Sequence, residues 1–435
     1  MSTLKNPRTL WQDGDFLKFW AGETIAQIGE QVTKLALPLT VILTMNAGPT
    51  QVGIVNATYY APFLAVTLFV GAWVDRVRRR PLMIASNVLR VLLVASVPVL
   101  GMAHLLTLWY VYLAALLIGV LTVIFDVAYQ SYLPSLIGKE QLIEGNSKLQ
   151  ASASIAQVGG PGLGGLLIEL TTAPIAMLVT AASFAVSVTT LTSIRRAEPR
   201  PSAPARRRSM WRDVGAGISV VGRNGYLRAC ALQSGIYNFC WMSLSTVFVL
   251  YAIRDEHYNA GTLGLVMSGG ALGSLIGSVT ARRLKNRFGL GTSIVGALFV
   301  CCAAPLLVPA APGSGAVPMT MFAVAFTGTG FGATVANVQI ISLRQAITPE
   351  LLLGRMNAGY RFISWGMLPL GALFGGWLGG VIGLRPTLYT TGYLFLLAPV
   401  VVLLSPVRRL KDFPAQIEER RADSIPVPAE AEAGR

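Results

Sequence analysis

Charge is scarce in this chain: Asp, Glu, Lys and Arg make up 13% of its 435 residues, against about a quarter in an ordinary soluble domain. So few charges cannot clothe a globular surface in water, and a soluble fold of this length is excluded. Histidine is limited to two residues, His104 and His257; both fall in outer loops and neither is given a role. The four cysteines, Cys230, Cys240, Cys301 and Cys302, stand inside apolar segments without a metal-ligand spacing such as C-x-x-C, and read as packing residues. Neither a metal nor a cofactor is expected. There is no G-x-x-x-x-G-K-[ST] phosphate loop, which argues against ATP hydrolysis. There is no H-E-x-x-H or G-x-S-x-G motif either, which leaves a membrane-embedded enzyme without machinery. Met1 to Asp15 lack the apolar core and cleavage site of a signal peptide, so the first span is expected to stay in the protein.

What the chain has in plenty is apolar sequence, 53% of all residues. A bilayer core about 30 Å thick takes roughly 20 apolar residues per helical span. Runs of that length recur near 17–45, 51–74, 81–103, 106–130, 147–170, 173–193, 227–252, 261–281, 290–311, 316–342, 356–383 and 386–405. The expected fold is therefore an all-α membrane protein of twelve transmembrane helices arranged as two six-helix bundles.

The net charge of +15 would suit a nucleic-acid surface only if the basic residues shared a soluble face. They sit instead in loops between spans, so no nucleic-acid partner is expected. Of the 35 lysines and arginines, only Arg254 and Arg385 fall in the loops of one side, and Lys34, Arg90 and Arg361 lie inside spans. The rest flank alternate loops and both termini, which places those termini in the cytoplasm. The chain then divides into a cytoplasmic N-terminus (1–15), a first bundle (16–193), a basic linker (194–226), a second bundle (227–405) and a cytoplasmic tail (406–435), expected to be disordered. In the linker Trp211, Val214, Ile218 and Val221 recur at helical spacing beside Arg212 and Arg223. That pattern suits an interfacial amphipathic helix, and a solvated basic linker fits it equally well.

The halves repeat at an offset of 211 residues: Asn146 falls on Asn357, Gly160 on Gly371, and Gly164-Gly165 on Gly375-Gly376. Parallel six-helix repeats are a transporter architecture with the substrate site between the halves.

Helix 1 carries Glu23, Gln27, Glu30 and Lys34 along one face. Ionisable groups within a span cost several kcal/mol unless paired or hydrated, so this face points to a wet cavity or a proton path. Arg90, about ten residues or roughly 15 Å into helix 3, is a counter-ion candidate for Glu30. A carboxylate near both a cation and an apolar wall can switch protonation as a cavity opens to either side. A structural Glu30–Arg90 or Glu30–Lys34 pair, proton coupling and substrate contact all remain open. Glu23, nearer the cytoplasmic end, reads as a hydrated face residue. Asn56, Tyr59 and Tyr60 of helix 2, with Gln233, Tyr237, Asn238 and Trp241 of helix 7, stand at mid-span depth; with Gln27 they are candidates to line a cavity for a large amphipathic ligand.

Two segments carry a family resemblance. GAWVDRVRRRP, Gly71 to Pro81, and GPGLGG, Gly160 to Gly165, resemble the loop 2–3 and helix 5 signatures of the major facilitator superfamily and its drug:proton antiporters. The loop departs at Arg78, where the family has glycine, and its second copy, GSVTARRLKNRFG from Gly277, has no aspartate. YLPSLIGKEQLIEGN and ITPELLLGRMNA look most like the siderophore-exporter and macrolide-efflux branch. The resemblance implies proton-driven export of a small hydrophobic or amphipathic molecule by alternating access, with protons and the lipid bilayer as the other partners and a monomer as the unit. Nutrient uptake and a non-transporting membrane protein are the competing readings. It also implies a conformational latch at Gly71, Asp75, Arg76 and Arg79, with Arg79 paired to Asp126 at the end of helix 4. For Gly160, Pro161, Gly164 and Gly165, kinking and tight packing are equally good explanations.

Overall fold

Residues 10–66, 70, 73–74, 77–138, 141–196, 198, 210–313 and 315–413 are described by a computed structural model. The first bundle consists of α1 (Gly14–Met45), α2 (Pro49–Ala65), α3 (Arg79–Met102), α4 (Leu108–Leu136), α5 (Leu142–Leu170) and α6 (Ala173–Ser193). A linker helix, α7 (Met210–Arg223), leads to the second bundle: α8 (Gly225–Arg254), α9 (Ala260–Phe288), α10 (Leu290–Ala303), the short α11 (Leu307–Ala310), α12 (Ala316–Ala346), α13 (Glu350–Trp365), α14 (Met367–Ile382), α15 (Leu384–Phe395) and α16 (Leu397–Leu403). Three expected spans are thus broken in two. The prolines account for two of the breaks. Pro369 and Pro399 each stand four residues beyond the last residue of the preceding helix, Trp365 and Phe395, whose carbonyls their rings would strike in an unbroken helix.

Helix ends follow local chemistry. Asp13 caps α1 by accepting from the backbone N–H groups of Asp15 and Phe16 at 3.0 and 3.2 Å, so the helix begins three residues before its apolar run. At the far end Asn46 takes the left-handed conformation, φ 51°, that ends a helix. α4 runs past the expected end at 130 because Tyr132, Leu133 and Leu136 are buried on the bundle side. α12 likewise continues past 342 and carries Arg344 into the bundle.

Nine of the described helices or helix pairs are long and apolar enough to cross a bilayer by themselves. The other three expected spans fall short for evident reasons. α1 carries Glu23, Glu30 and Lys34, α5 is rich in polar and glycine residues, and α2 is described over 17 residues. Side chains such as Leu265, Leu275, Val279 and Trp377 are more than half exposed on the bundle exteriors, as lipid rather than water requires.

Inside the first bundle α1 packs on α5 and α6, and α3 on α4 and α6; inside the second, α8 packs on α14 and α15, and α12 on α9 and α10. The halves meet where α2 crosses α14 and where α5 crosses α9. Both crossings are made by glycine pairs. A Cβ on Gly165 would collide with backbone of Ala260 and Gly264, and a Cβ on Gly376 with backbone of Pro49 and Gly53. The two pairs are related by the same offset of 211, since Gly53 falls on Gly264 as Gly165 falls on Gly376.

Every described hydrogen bond that joins the halves gathers on one side, the side with the loops 46–48, 171–172 and 255–259. Arg254 donates to Asn46 Oδ1 and to the Ala47 carbonyl, both at 2.9 Å; Asn259 donates to Glu169 at 2.8 Å, Thr50 to the Gly376 carbonyl at 3.3 Å and Asn56 to Thr246 at 3.0 Å. The halves are therefore latched at the end that the charge pattern assigns to the outside. In the linker helix Gly217 lies against the backbone of Arg355 and Gly359 on α13, and Val221 is buried. Of its other patterned residues, Ile218 is partly exposed, and the side chains of Trp211, Arg212 and Val214 lie outside the described residues.

Candidate functional site

The polar face of α1 points into its own bundle. Glu30 receives Lys34 Nζ at 2.9 Å on one carboxylate oxygen and Arg90 Nη2 at 3.3 Å on the other. The Glu30–Lys34 contact is an i,i+4 pair along one helix; the Glu30–Arg90 contact joins α1 to α3. Arg90, whose Nε has no hydrogen-bond partner among the described residues, is 1% exposed. It donates to Asn87 Oδ1 and Thr122 Oγ1, both at 3.1 Å, and its guanidinium lies 4.1 Å from the Phe184 ring centroid and 5.4 Å from that of Phe125. Asn87 in turn donates to Ser187 at 2.9 Å. A guanidinium removed from water in this way needs a counter-charge and its hydrogen bonds satisfied, and removing one partner of such a pair costs about 3–5 kcal/mol. Sequence reading brings out Glu30, Lys34 and Arg90; the shell of Asn87, Thr122, Ser187, Phe125 and Phe184 carries no motif and becomes visible only when α3, α4 and α6 are packed.

Glu23 is buried, 6% exposed, and accepts from Gln27 Nε2 at 2.8 Å. This corrects its reading as a hydrated face residue: α6 covers this turn of α1, with Gly22 pressed against Ser187 and Thr190. Gln27 gives its Nε2 to Glu23, and its Oε1 is buried with no partner among the described residues. Asp126 does not meet Arg79. Arg79 and Arg80 give their backbone N–H groups to the two oxygens of Glu198, at 2.7 and 3.0 Å, and the Arg79 guanidinium reaches the same carboxylate at 4.0 Å. The carboxylate takes this place because the first N–H groups of α3 have no partner within the helix. Asp126 lies instead within electrostatic range of Glu30, Arg90, Lys34 and Arg361. Gly71, Asp75 and Arg76 lie outside the described residues.

In the helix 5 motif, Gly160 sits against Gln31, Gly164 against Val32, and Gly165 on α9 of the other half. The backbone around Pro161 stays helical, and the Pro161 carbonyl abuts Gly264. The glycines are where helices touch at backbone distance.

The expected cavity is two spaces. The first, about 230 Å³, lies between the halves; Lys34, Asn56, Tyr59 and Tyr60 line it from the first bundle and Trp241 and Thr246 from the second. The Tyr59 hydroxyl there is buried with no partner among the described residues. The second, about 630 Å³, lies mainly within the second bundle, with Gln233, Tyr237, Asn238, Arg344, Arg361 and Trp365 on its wall and Gln130 reaching it from α4. Asn238 is held by Ser364, donating to its Oγ at 2.7 Å and its carbonyl at 2.9 Å.

Most of the chain that builds these two bundles is matched by a family model. Its description is Major Facilitator Superfamily, and it aligns with residues 19–364. The chain belongs to the Major Facilitator Superfamily. It is a multi-pass membrane transporter that carries a small-molecule substrate, and the membrane-enzyme reading is set aside. Among its relatives, the multidrug efflux pump Tap of Mycolicibacterium fortuitum is 26% identical over 397 residues, covering 89% of this chain and 94% of Tap. The enterobactin exporter EntS of Escherichia coli O1:K1 is 25% identical over 293 residues, covering 65% of this chain and 66% of EntS. A bacterial homologue of the iron transporter ferroportin in its inward-facing state has a TM-score of 0.72 at 17% identity, over 89% of this chain and 98% of that one. The transporter thus shares its fold with this structure across both halves.

Proposed function

We propose that the transporter exports hydrophobic or amphipathic small molecules, of the drug or siderophore kind, across a bacterial inner membrane in exchange for protons, acting as a monomer with both termini in the cytoplasm. Its similarity to Tap and EntS supports export over uptake. The observation that carries the proton coupling is the double pairing of Glu30: one oxygen is held by Arg90 in the bundle interior, and the other by Lys34, which borders the space between the halves. A proton arriving at Glu30 frees Lys34 toward that space. A substrate arriving there competes with Glu30 for Lys34, so each ligand alters the binding of the other.

Alternating access follows from the same frame. The outer end is closed by the glycine crossings and by Arg254, Asn259 and Asn56; rocking of one half on the other opens it and closes the cytoplasmic end, where Gly71, Asp75, Arg76 and Arg79 form the latch of the second state. The test is flux into liposomes under an imposed pH gradient, with a panel of lipophilic antibiotics and siderophores. Gradient-driven flux that Glu30→Gln abolishes or makes gradient-independent is the expected outcome. Coupled flux unchanged by Glu30→Gln, or flux indifferent to the gradient in the wild type, would overturn the coupling.

A further inference from the structure

The two bundles differ in charge. In the first, Lys34 and Arg90 face Glu30, with Glu23 and Asp126 in electrostatic range. In the second, the 630 Å³ cavity carries two arginines on its wall, Arg344 and Arg361, and, among the described residues, no carboxylate. Arg344 is 9% exposed. Its Nη2 donates to Asn357 Oδ1 at 2.5 Å and its guanidinium lies 3.4 Å from the Tyr360 ring centroid, both neutral partners. Its Nε is buried with no partner among the described residues. Arg361, one helical step from Tyr360, lies over Trp365 at 4.6 Å. Asp126 of the opposite half lies within its electrostatic range, and among the described residues no ion pair within 4.0 Å joins the two. A buried cation without a counter-charge is costly, and it persists where a ligand supplies the charge. The wall also carries neutral donors, Gln233 and Asn238, and the aromatic faces of Tyr237 and Trp365.

We propose that this cavity is an oxyanion subsite: Arg344 and Arg361 together bind a carboxylate or comparable delocalised anion of an amphipathic organic molecule, whose ring system lies against Trp365 and Tyr237. Guanidinium groups suit this because their planar donor forks match a carboxylate's two oxygens. The assignment deepens the export reading by naming the charge class of the cargo, and it rests on that reading for the identification of the bound molecule as cargo. The anion can also come from an acidic lipid headgroup, so the test separates the two sources.

The test is equilibrium binding to the full-length transporter in nanodiscs, without a gradient, using 1-naphthoate and its neutral counterpart 1-naphthamide, read by calorimetry and by Trp quenching. Wild type is expected to bind naphthoate at least tenfold more tightly than the amide. Arg361→Gln should reduce that preference to within about twofold, and Arg361→Lys should retain part of it. Arg344→Gln should act likewise if it stays monodisperse; because Arg344 is buried, Arg361→Gln is the variant on which the outcome turns. In phosphatidylcholine discs alone the preference should persist. If phosphatidylglycerol abolishes it competitively, the oxyanion site stands and the lipid is its ligand. Equal binding of both probes, or a preference untouched by Arg361→Gln, overturns the proposal. Loss of gradient-driven flux with the preference intact would instead overturn the export reading alone.

Discussion

Gly165 and Gly264 meet backbone to backbone where α5 crosses α9, and a single added methyl on either would overlap main-chain atoms of the other helix. Because the contact joins the two halves and not two helices of one bundle, a side chain there acts on the equilibrium between halves that touch at this end and halves that part there. Overpacking typically costs about 1–3 kcal/mol, or roughly five- to 150-fold in that equilibrium. Gly165→Val or Gly264→Val should raise thiol labelling of a cysteine placed at Val52, which is buried on the space between the halves, by about that factor, with the protein still folded and extractable. Labelling equal to that of the parent would show that this crossing does not hold the halves together at this end.

Arg90 and Lys34 share Glu30 but not their surroundings. Arg90→Met removes a fully buried cation with three hydrogen-bond partners and two aromatic faces. Lys34→Met removes a cation whose side chain is 32% exposed toward the central space. The first substitution is expected to destabilise by about 3–5 kcal/mol. The second should leave the melting temperature within a few degrees of wild type while impairing transport. Melting curves of the detergent-solubilised variants give the comparison, and equal losses would count against the difference in burial.

Glu198 caps α3 from beyond α6, accepting the backbone N–H groups of Arg79 and Arg80. Glu198→Ala should cost about 0.5–2 kcal/mol of local stability, the usual range for a lost cap. The amides of residues 79 and 80 should then exchange with deuterium about twofold to thirtyfold faster. Unchanged protection at those amides would rule out the cap.

Asp15 offers a pH-dependent contact at the start of α1. Partial burial raises its pKa, but the backbone N–H groups of Arg195 and Arg196, at 3.1 and 2.9 Å, and the Lys18 ammonium outweigh this and hold the carboxyl below its usual range. A depressed folded-state pKa means that the stabilisation is present above the unfolded value of about 3.9 and fades as pH falls through the folded one. The stability difference between wild type and Asp15→Asn should therefore be constant near neutrality and shrink in acid. A difference that grows toward low pH would contradict the tether.

Much of the fold is legible in the chain. Apolar runs locate the spans because lipid tolerates no unsatisfied backbone, and the offset of 211 that pairs Gly165 with Gly376 discloses the repeat. The i,i+4 spacing of Glu30 and Lys34, and the depth of Arg90, are likewise visible in one dimension. Glu198 is not, since nothing local to its loop says that it will fold back on α3. Arg344 escapes notice for a related reason: it follows the apolar run of its span, and only the packed α12 and α13 bury it against Tyr360.

Hydrophobic patterning by itself determined that this chain lives in lipid as two repeated six-helix units, because that is a property of residue composition along one helix at a time. Which charges are compensated was decided only by tertiary structure. Coulomb energies depend on distances between α1 and α3, or between α12 and α13, and those distances exist only once the helices have packed: Arg90 meets its carboxylate, and Arg344 faces a cavity without one among the described residues.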